Sequence, residues 1–188
     1  MDYKMLLTRN QIIDKVFDTA REIANYLKDN NITEITVMPI MNGSIFYAVD
    51  LMRELSNALV ENSINCKIQM ETIRIKSYEN NSNENTKLHC KDIDLLTVKD
   101  KNILIVDDVY DTGKTFKWLV NELKSRGANT IISTVFVDKT CNHLVEYKPT
   151  FASYILNENK FLVGYGMDDN GYYRELPELG YIEIWFIL

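Results

Sequence analysis

The sequence predicts an α/β fold with a mainly parallel central sheet flanked by helices, and two observations support this prediction. Strand-like apolar runs alternate with segments of helical periodicity through the first two-thirds of the chain, which is typical of right-handed βαβ crossovers. One run, Ile-Leu-Ile-Val at residues 103–106, is uninterrupted, as expected of a parallel strand buried on both faces. The length of 188 residues suits a single domain over residues 1–188.

The first half of the chain begins with a predicted amphipathic helix at about residues 10–28, where apolar side chains recur at helical spacing. A strand is predicted at residues 35–40, and a second helix follows it. Four apolar residues are expected on the buried face of that helix: Ile45, Val49, Met52 and Leu55. Residues 66–75 alternate in a β-rich pattern and predict a strand, whereas the polar residues 79–85 predict a mobile loop.

The second half of the chain begins, after the buried run, with a third predicted helix. It starts near Thr115, has Trp118, Leu119 and Leu123 on its apolar side, and ends before Gly127, a suitable C-cap. Further strands are predicted at residues 131–137, 151–156, 161–163 and 181–187.

Charge and composition exclude several classes of partner. A formal net charge of -6 argues against broad nucleic-acid binding, which needs a basic face. No apolar run approaches the length that spans a membrane. The cysteines, Cys66, Cys90 and Cys141, lie far apart and predict reduced thiols. These features predict a cytoplasmic protein with no nucleic-acid or membrane partner, in which local basic groups, backbone N–H groups or a metal must meet any anionic ligand.

The segment after the run 103–106 has the composition of a site for a phosphorylated sugar. In open α/β sheets, ligands bind outside the carboxyl ends of the strands. The carboxylates of Asp107 and Asp108 suit the two hydroxyls of a ribose. Backbone N–H groups at the start of the next helix favour phosphate, and Gly113 lets the backbone approach a ligand closely. The phosphate-binding residues are then Asp111, Thr112, Gly113, Lys114 and Thr115.

Two other interpretations of this segment were weighed. A nucleotide-hydrolase P-loop requires a glycine five positions before Gly113, and because that position is Asp108 the P-loop is excluded. The second is a helix N-terminus that the acids only cap. Three acids within five residues after a buried strand are more than capping requires, so a ligand site is favoured.

The order of apolar strand, two acids, two residues and Asp-Thr-Gly-Lys-Thr resembles the phosphoribosyl-diphosphate signature of type I phosphoribosyltransferases. Within that family the chain is similar to the hypoxanthine-guanine phosphoribosyltransferases. Further blocks match in family order between about Pro39 and Pro177, at residues 73–78, 147–149, 160–168 and 172–177. The resemblance implies the type I phosphoribosyltransferase fold with a small hood, a flexible lid loop at about residues 77–98 and a C-terminal purine-binding segment at about residues 150–188.

The resemblance also implies a reaction. The family transfers the 5-phosphoribosyl group of phosphoribosyl diphosphate to N9 of a 6-oxopurine, giving IMP or GMP and diphosphate, with Mg²⁺ as cofactor. A homodimer or homotetramer is implied as well. Asp107 and Asp108 would bind the ribose hydroxyls, and residues 111–115 would bind the 5-phosphate. Asp111 would also lie near purine N7 as the catalytic base or proton partner. Because the ordinary pKa of an aspartate is about 3.9, that role needs tuning by the site or late proton transfer; the alternative for Asp111 is a cap of the phosphate loop.

Base recognition is implied for residues after the predicted strand 131–137. Lys139 would donate to the purine 6-oxo group, and because a lysine has only donors it would disfavour adenine. Phe161 would stack on the purine, the Leu162 backbone would meet the base edge, and Lys160 belongs to the same segment. Taken alone, Lys139 is more commonly a solvated loop lysine, and Phe161 is a core aromatic residue in a short strand; only the matching register before residues 147–149 favours the role of Lys139.

The diphosphate end is implied by four further residues. Asp168 would bind Mg²⁺ together with Asp107 and Asp108, since hard oxygen ligands suit this ion. Arg174 would contact the leaving diphosphate, with a surface salt bridge as the alternative. Ser77 and Tyr78 would lead into the lid that excludes water from the ribosyl centre, with an ordinary strand end as the alternative.

The chain departs from the family pattern at the diphosphate site. The loop before the second helix usually has a basic residue and then glycine, often in a cis peptide, and here it has Asn42 and Gly43. A basic contact to diphosphate is lost, while backbone contact is retained. The first acid of the pair is Asp107 where the family often has the longer glutamate, and the lid is rich in asparagine. We expect weaker diphosphate affinity with the chemistry intact.

Two alternative functions were compared with the 6-oxopurine transferase. One is a transferase for another base, such as xanthine or a pyrimidine; Lys139 and Phe161 with Asp168 favour a purine over a pyrimidine, and a substrate panel would decide. The other is a non-catalytic regulator on the same fold that binds a nucleotide to control RNA or DNA. Such a protein should lose either Ser77 and Tyr78 or Asp111, and it should gain a basic face. This chain retains the three residues and is acidic, so the regulator is disfavoured. The sequence does not rank hypoxanthine, guanine and xanthine.

Overall fold

A computed structural model describes residues 3–78, 87–90 and 93–183 of the chain. Short 3₁₀ turns lie at Ile93–Leu95 and Thr140–Asn142. The remaining elements, in chain order, are β1 (Lys4–Leu7), α1 (Arg9–Asp29), β2 (Glu34–Pro39), α2 (Ile45–Glu61), β3 (Lys67–Met70), β4 (Lys76–Tyr78), β5 (Lys87–His89), β6 (Asn102–Tyr110), α3 (Lys114–Ser125), β7 (Thr130–Lys139), β8 (Phe151–Leu156), β9 (Phe161–Val163) and β10 (Leu179–Ile182).

The central sheet has five strands in the order β3-β2-β6-β7-β8, and every neighbouring pair is parallel. Strand β6 occupies the middle, and its residues Ile103, Leu104, Ile105 and Val106 are fully buried. Their side chains alternate between the two faces, because successive side chains of a strand point in opposite directions. The predicted parallel sheet with a doubly buried central strand is confirmed.

Helices cover both faces of this sheet. Helices α1 and α2 pack together on one face, in a core that includes Leu104 and Val106 of β6. Helix α3 lies on the other face and contributes Phe116, Leu119 and Leu123 to a second core, which includes alternate residues of β6. None of the helices in the part of the chain that the structure describes is long and apolar enough to cross a membrane.

The strand order places a crevice between β2 and β6. From β2 the chain crosses through α2 to β3 on one side, whereas from β6 it crosses through α3 to β7 on the other. Two right-handed crossovers that leave in opposite directions put their helices on opposite faces and leave a gap between their loops. The carboxyl ends of β2 and β6 therefore border the position where α/β sheets bind ligands.

Two smaller sheets extend from this framework. Strand β10 pairs antiparallel with β1 and β9 in a three-stranded sheet, which corresponds to the predicted small hood. Strands β4 and β5 pair antiparallel with each other. The mobile loop predicted at residues 79–85, which would join β4 to β5, lies outside the described residues, as does much of the predicted lid.

The buried face predicted for the second helix is wrong in part. Ile45 and Val49 are each 40% exposed, while Leu55 is buried as expected. The observed buried stripe comprises Tyr47, Ala48, Leu51, Leu55, Ala58 and Leu59. A tyrosine tolerates this position because its hydroxyl is 2.7 Å from Thr134 Oγ1, so the polar atom is satisfied inside the core.

Three strand predictions also need correction. The strand predicted at residues 66–75 ends at Met70, and beyond it the pairing continues only as a bridge between Ile40 and Ile73, since β2 ends at Pro39. Strand β1 was missed because its four residues are too few to show a period. Of the strand predicted at residues 181–187, the part from 184 onward lies outside the described residues.

Candidate active site

The floor of the crevice is formed by two adjacent acids near the end of β6. Asp107 Oδ1 accepts a hydrogen bond from the Asp108 N–H at 3.0 Å, and Asp108 Oδ1 accepts one from the Val109 N–H at 2.9 Å. Burial and the neighbouring Asp108 charge raise the pKa of Asp107 well above its ordinary range. Burial also raises the pKa of Asp108, against the opposing effects of its hydrogen bonds and of the Arg174 charge. This floor therefore favours a ligand that brings hydroxyl donors or positive charge.

The loop after β2 closes one side of the crevice. Its Met41–Asn42 peptide bond is cis, and the Ser44 hydroxyl donates to the Ile40 carbonyl at 2.7 Å. Gly43 lies so close to Asp108 that any side chain there would collide with the Asp108 carboxylate. The predicted pair Asn42 and Gly43 thus adjoins the acids of β6, with its backbone turned toward them.

Arg174 places a positive charge at another side of the crevice. Its Nη1 donates to the Gly166 carbonyl at 2.5 Å, and its Nη2 forms an ion pair with Asp168. The Gly166 backbone packs against the Gly43 carbonyl. Because the Arg174 charge acts on Asp108 across this contact, Arg174 and Asp168 belong to the same crevice as the acids of β6. The salt bridge proposed as the alternative for Arg174 does exist, but it lies in the crevice wall.

The predicted phosphate loop joins β6 to α3. Gly113 has φ +80° and immediately precedes α3, a left-handed conformation that glycine adopts without strain. A side chain there would also collide with the Tyr110 hydroxyl. The loop is fixed from outside by a 3.0 Å hydrogen bond from the Leu144 N–H to the Thr112 carbonyl. Thr112, Lys114 and Thr115 consequently lie at the N-terminus of α3, which begins at Lys114, close to the predicted start near Thr115.

On the other side of the crevice lies a buried lysine. Lys139 ends β7 and is only 7% exposed, so the alternative of a solvated loop lysine is wrong. Its Nζ lies 3.1 Å from Asn159 Oδ1 and 3.6 Å from Asp111 Oδ1, while the Asp111 side chain is 48% exposed. The structure therefore brings together Lys139 and Asp111, which the sequence placed in separate segments.

Sequence reasoning missed two residues of this cluster, Asn142 and Asn159. The Asn142 amide donates to Asp111 Oδ1 at 2.6 Å and to Asn159 Oδ1 at 2.9 Å. Asparagines in loops are ordinary turn residues, so no sequence signal distinguished these two. Their importance is apparent only once the loops after β7 and β8 are folded together.

The segment predicted to bind a purine forms β9 and its approach. Phe161 is 39% exposed and is therefore not a core residue, whereas Leu162 is buried. Lys160 Nζ lies 3.0 Å from Glu158 Oε2 and 4.1 Å from the centre of the Tyr181 ring. In the lid, the Ser77 and Tyr78 backbones belong to β4; their side chains lie outside the described part of the structure.

The three predicted metal ligands do not form a complete protein site. No cluster of three or more His, Cys, Asp or Glu residues suited to a metal occurs within residues 3–78, 87–90 and 93–183. Asp168 is engaged by Arg174 and by the Gly171 N–H at 2.7 Å, apart from the adjacent Asp107 and Asp108. Any hard cation held here would need further oxygen ligands from a bound substrate and from water.

The chain was compared with known protein families and sequences. The family model for the phosphoribosyl transferase domain matches residues 2–170. A hypoxanthine-guanine phosphoribosyltransferase from Lactococcus lactis is 31% identical over 182 residues, which cover 96% of this chain and 91% of that protein. A hypoxanthine-guanine phosphoribosyltransferase from Schistosoma mansoni is 29% identical over 95% of this chain, and the chain spans only 62% of that longer protein.

Solved structures show the same fold. A variant of the hypoxanthine phosphoribosyltransferase from Trypanosoma cruzi, determined as a ternary complex with substrates, superposes with a TM-score of 0.83. The match covers 96% of this chain and 95% of that chain at 23% identity. The central parallel sheet and the flanking helices are therefore shared with that enzyme.

Proposed function

This chain belongs to the phosphoribosyl transferase domain family, and we propose that it is a purine salvage transferase. It moves the 5-phosphoribosyl group from phosphoribosyl diphosphate to N9 of hypoxanthine, guanine or both, giving IMP or GMP and diphosphate. The observation on which this proposal rests is the buried Lys139 ammonium beside Asp111, across the crevice from the acids of β6. This arrangement offers one end to a 6-oxopurine and the other to a phosphorylated ribose.

The ribose phosphate half of the site is assigned to the end of β6. Asp107 and Asp108 accept hydrogen bonds from the ribose hydroxyls, which relieves two carboxylates whose pKa values burial has raised. The 5-phosphate accepts hydrogen bonds from the backbone N–H groups between Thr112 and Thr115 at the start of α3, where backbone donors and the helix dipole favour an anion. Together these contacts fix the sugar with its C1 toward the base.

The base half is assigned to Lys139 and Phe161. A lysine ammonium has three N–H donors and no acceptor. Two are directed near Asn159 and Asp111, and the third meets the purine 6-oxo oxygen. A 6-amino group would offer a donor to a donor, so adenine is rejected. The exposed Phe161 ring stacks on the base, and the Leu162 backbone meets the edge that distinguishes guanine from hypoxanthine.

Asp111 is proposed as the proton partner of the base. When N9 bonds to ribose C1, the purine must lose a proton, and a carboxylate near N7 can accept it. Asp111 lies at the junction of the two halves, because it belongs to the phosphate loop and its carboxylate faces Lys139. This position would couple the binding of the phosphate to the position of the proton acceptor.

The cofactor is proposed to be Mg²⁺, and the donor set fits it in part. The paired carboxylates of Asp107 and Asp108 and the carboxylate of Asp168 are hard oxygen ligands, and the first two lie close together with raised pKa values. Diphosphate oxygens and water would complete the coordination. When bound, the metal neutralises charge on the leaving diphosphate, while Arg174 binds that diphosphate directly.

The remaining proposals concern the whole domain. Residues 1–188 form one catalytic domain, whose lid at about residues 77–98 closes over the site with Ser77 and Tyr78 and whose segment at about residues 150–188 binds the purine. Closure would exclude water from a ribosyl centre that water could otherwise hydrolyse. The protein is proposed to act in the cytoplasm as a homodimer or homotetramer.

The test is formation of IMP or GMP from phosphoribosyl diphosphate and the free base, with Mg²⁺ present or removed by a chelator. We expect product with hypoxanthine or guanine only when Mg²⁺ is present. Absence of product with hypoxanthine, guanine and xanthine at saturating substrates would contradict the proposed function. Product with xanthine alone would support the proposed transfer reaction but contradict the proposed specificity for hypoxanthine or guanine.

A further inference from the structure

The short turn Thr140–Asn142 connects the two halves of the site. It follows Lys139 directly and is fixed on both sides. His143 Nε2 lies 2.5 Å from Asp138 Oδ1, and the Thr140 hydroxyl donates to Asn157 Oδ1 at 2.5 Å. The Leu144 N–H bonds to the Thr112 carbonyl of the phosphate loop at 3.0 Å. The turn thus connects β7 to the phosphate loop and is held by hydrogen bonds from several of its residues.

Asn142 projects from this turn toward Asp111. Its Nδ2 is 2.6 Å from Asp111 Oδ1 and 2.9 Å from Asn159 Oδ1, two groups that can only accept at those atoms. Its Oδ1 lies 3.3 Å from the Cys141 thiol, which can donate. The opposite orientation of the amide would direct an oxygen at a carboxylate, so the surroundings fix which side carries the N–H groups.

These contacts close a ring of four side chains. Lys139 Nζ lies near Asn159 Oδ1 and Asp111 Oδ1, and the Asn142 amide donates to the same two oxygens. The two donors and two acceptors therefore alternate around the ring. Asp111 is about half exposed and would otherwise sample several rotamers, whereas a charge-assisted hydrogen bond from a fixed turn holds it in one direction.

We propose that Asn142 is a positioning residue for this reaction, an inference that rests on the proposed function. It holds the Asp111 carboxylate toward the purine and, through Asn159, holds the Lys139 ammonium toward the 6-oxo group. The carboxylate and the ammonium are then oriented toward the base site before the base binds. Because small displacements of reacting groups lower rates strongly, loss of this amide should impair base turnover while leaving the ribose phosphate contacts unchanged.

The first test compares a substitution that truncates the Asn142 side chain with one that keeps its shape and replaces the amide by a carboxylate. Asn142→Ala removes the donor, and we expect kcat/KM for hypoxanthine to fall about 10-fold. Asn142→Asp keeps the shape but places a second carboxylate against Asp111, and we expect a larger loss of about 100-fold. If Asn142 only filled space, the isosteric aspartate would be the better tolerated variant, and that order would overturn the proposal.

Three further measurements complete the test. The KM for phosphoribosyl diphosphate and the Tm should stay near wild-type values in Asn142→Ala. The control Asn129→Ala removes an asparagine hydrogen bond to Asn102 at the opposite, amino-terminal ends of β6 and β7, and it should leave kcat/KM for the base within about 2-fold. In an Asp111→Asn background, the Asn142→Ala loss should shrink to about 2-fold, because coupled residues are not additive.

The contradicting outcomes are distinct. Equal losses for base and phosphoribosyl diphosphate, or the same Asn142→Ala loss with and without Asp111, would overturn the positioning role. The wild-type chain, assayed in parallel, separates the two levels of inference. Wild-type turnover with an unaffected Asn142→Ala variant contradicts only the role of Asn142, whereas no wild-type turnover contradicts the proposed function and this role with it.

Discussion

The two ends of the crevice differ in how completely their charges are balanced. At the proposed base end, Lys139 and Asp111 lie 3.6 Å apart, and two asparagine amides connect them. At the diphosphate end, burial raises the pKa values of Asp107 and Asp108. The positive charge there comes from Arg174, which is already paired with Asp168.

This difference indicates what each end requires from its ligand. A neutral purine brings no charge, so the base end can be organised in advance by hydrogen bonds within the protein. Phosphoribosyl diphosphate and its metal bring several charges and hydroxyl donors, so the other end keeps two partly buried carboxylates, each with a backbone hydrogen bond, for the ligand to engage. A substitution at one end should therefore change the kinetics of that end's ligand far more than those of the other ligand.

The largest effect is expected from Lys139→Ala. Removal of a charged donor from a buried site should lower kcat/KM for hypoxanthine by about 100-fold. The KM for phosphoribosyl diphosphate should change by less than about 3-fold, because Lys139 belongs to the base end. Steady-state kinetics with each substrate varied in turn provides the measurement. Equal losses for both substrates would argue against the division of the crevice into two ends.

Arg174→Lys should have the opposite pattern of effects, with a change in the use of phosphoribosyl diphosphate and little change in the use of the base. The substitution keeps the charge but loses the planar fork that contacts both Gly166 and Asp168. We expect the KM for phosphoribosyl diphosphate to rise about 20-fold, with base KM nearly constant. A change confined to the KM for the base would contradict the assignment of Arg174 to the diphosphate end.

Asn42→Lys should improve the diphosphate end modestly. Asn42 is exposed beside the acids of β6, and a lysine there restores the basic residue usual in the family. We expect the KM for phosphoribosyl diphosphate to fall about 3-fold at low ionic strength and the gain to shrink with added salt. Asn57→Lys, at an exposed position of α2, gives the same net charge and should leave KM unchanged; an equal gain there would show a nonspecific charge effect.

The smallest effect concerns stability. Because burial raises the pKa of Asp107 above its ordinary value of 3.8, the folded protein holds this proton more tightly than the unfolded chain. Stability is therefore lost as pH rises from about that value through the raised pKa. Asp107→Asn should raise the Tm of the ligand-free protein at neutral pH by a few degrees, roughly 2–4 °C, and flatten its dependence on pH.

Two comparisons check the stability prediction. Asp14→Asn, on the exposed side of α1, removes the same charge and should leave Tm nearly unchanged. Phosphoribosyl diphosphate with Mg²⁺ should stabilise wild type more than Asp107→Asn, because the variant offers one carboxylate fewer to the ribose. A lower Tm for ligand-free Asp107→Asn would mean that this carboxylate stabilises the fold, contrary to the electrostatic account of the crevice floor.

The sequence predicted well those features that are encoded locally. The central strand, the two acids near its end and the helix N-terminus that follows are continuous in the chain, so their pattern alone was enough to propose a ribose phosphate site there. Lys139 was identified by its register after a predicted strand, although its burial was not predictable. The strands on either side of β7, which are β6 and β8, shield Lys139 from solvent, and they lie elsewhere in the chain.

Contacts between distant loops account for what the sequence did not predict. Asn142 bonds Asp111 across 31 residues and Asn159 across 17 residues, and asparagines in loops give no periodic signal. The buried face of α2 was wrong in part because apolar residues occur on more than one side of that helix. The choice between sides depends on Tyr47, whose hydroxyl finds a partner in β7.

If the base end is organised in advance to select a 6-oxo group, the enzyme should discriminate strongly between 6-oxo and 6-amino purines. The measurement that tests this selection most directly is the ratio of kcat/KM for hypoxanthine to kcat/KM for adenine, with phosphoribosyl diphosphate and Mg²⁺ saturating. We predict a ratio of at least about 10³, since Lys139 presents only donors to the purine 6-position. Comparable values for hypoxanthine and adenine would contradict the account.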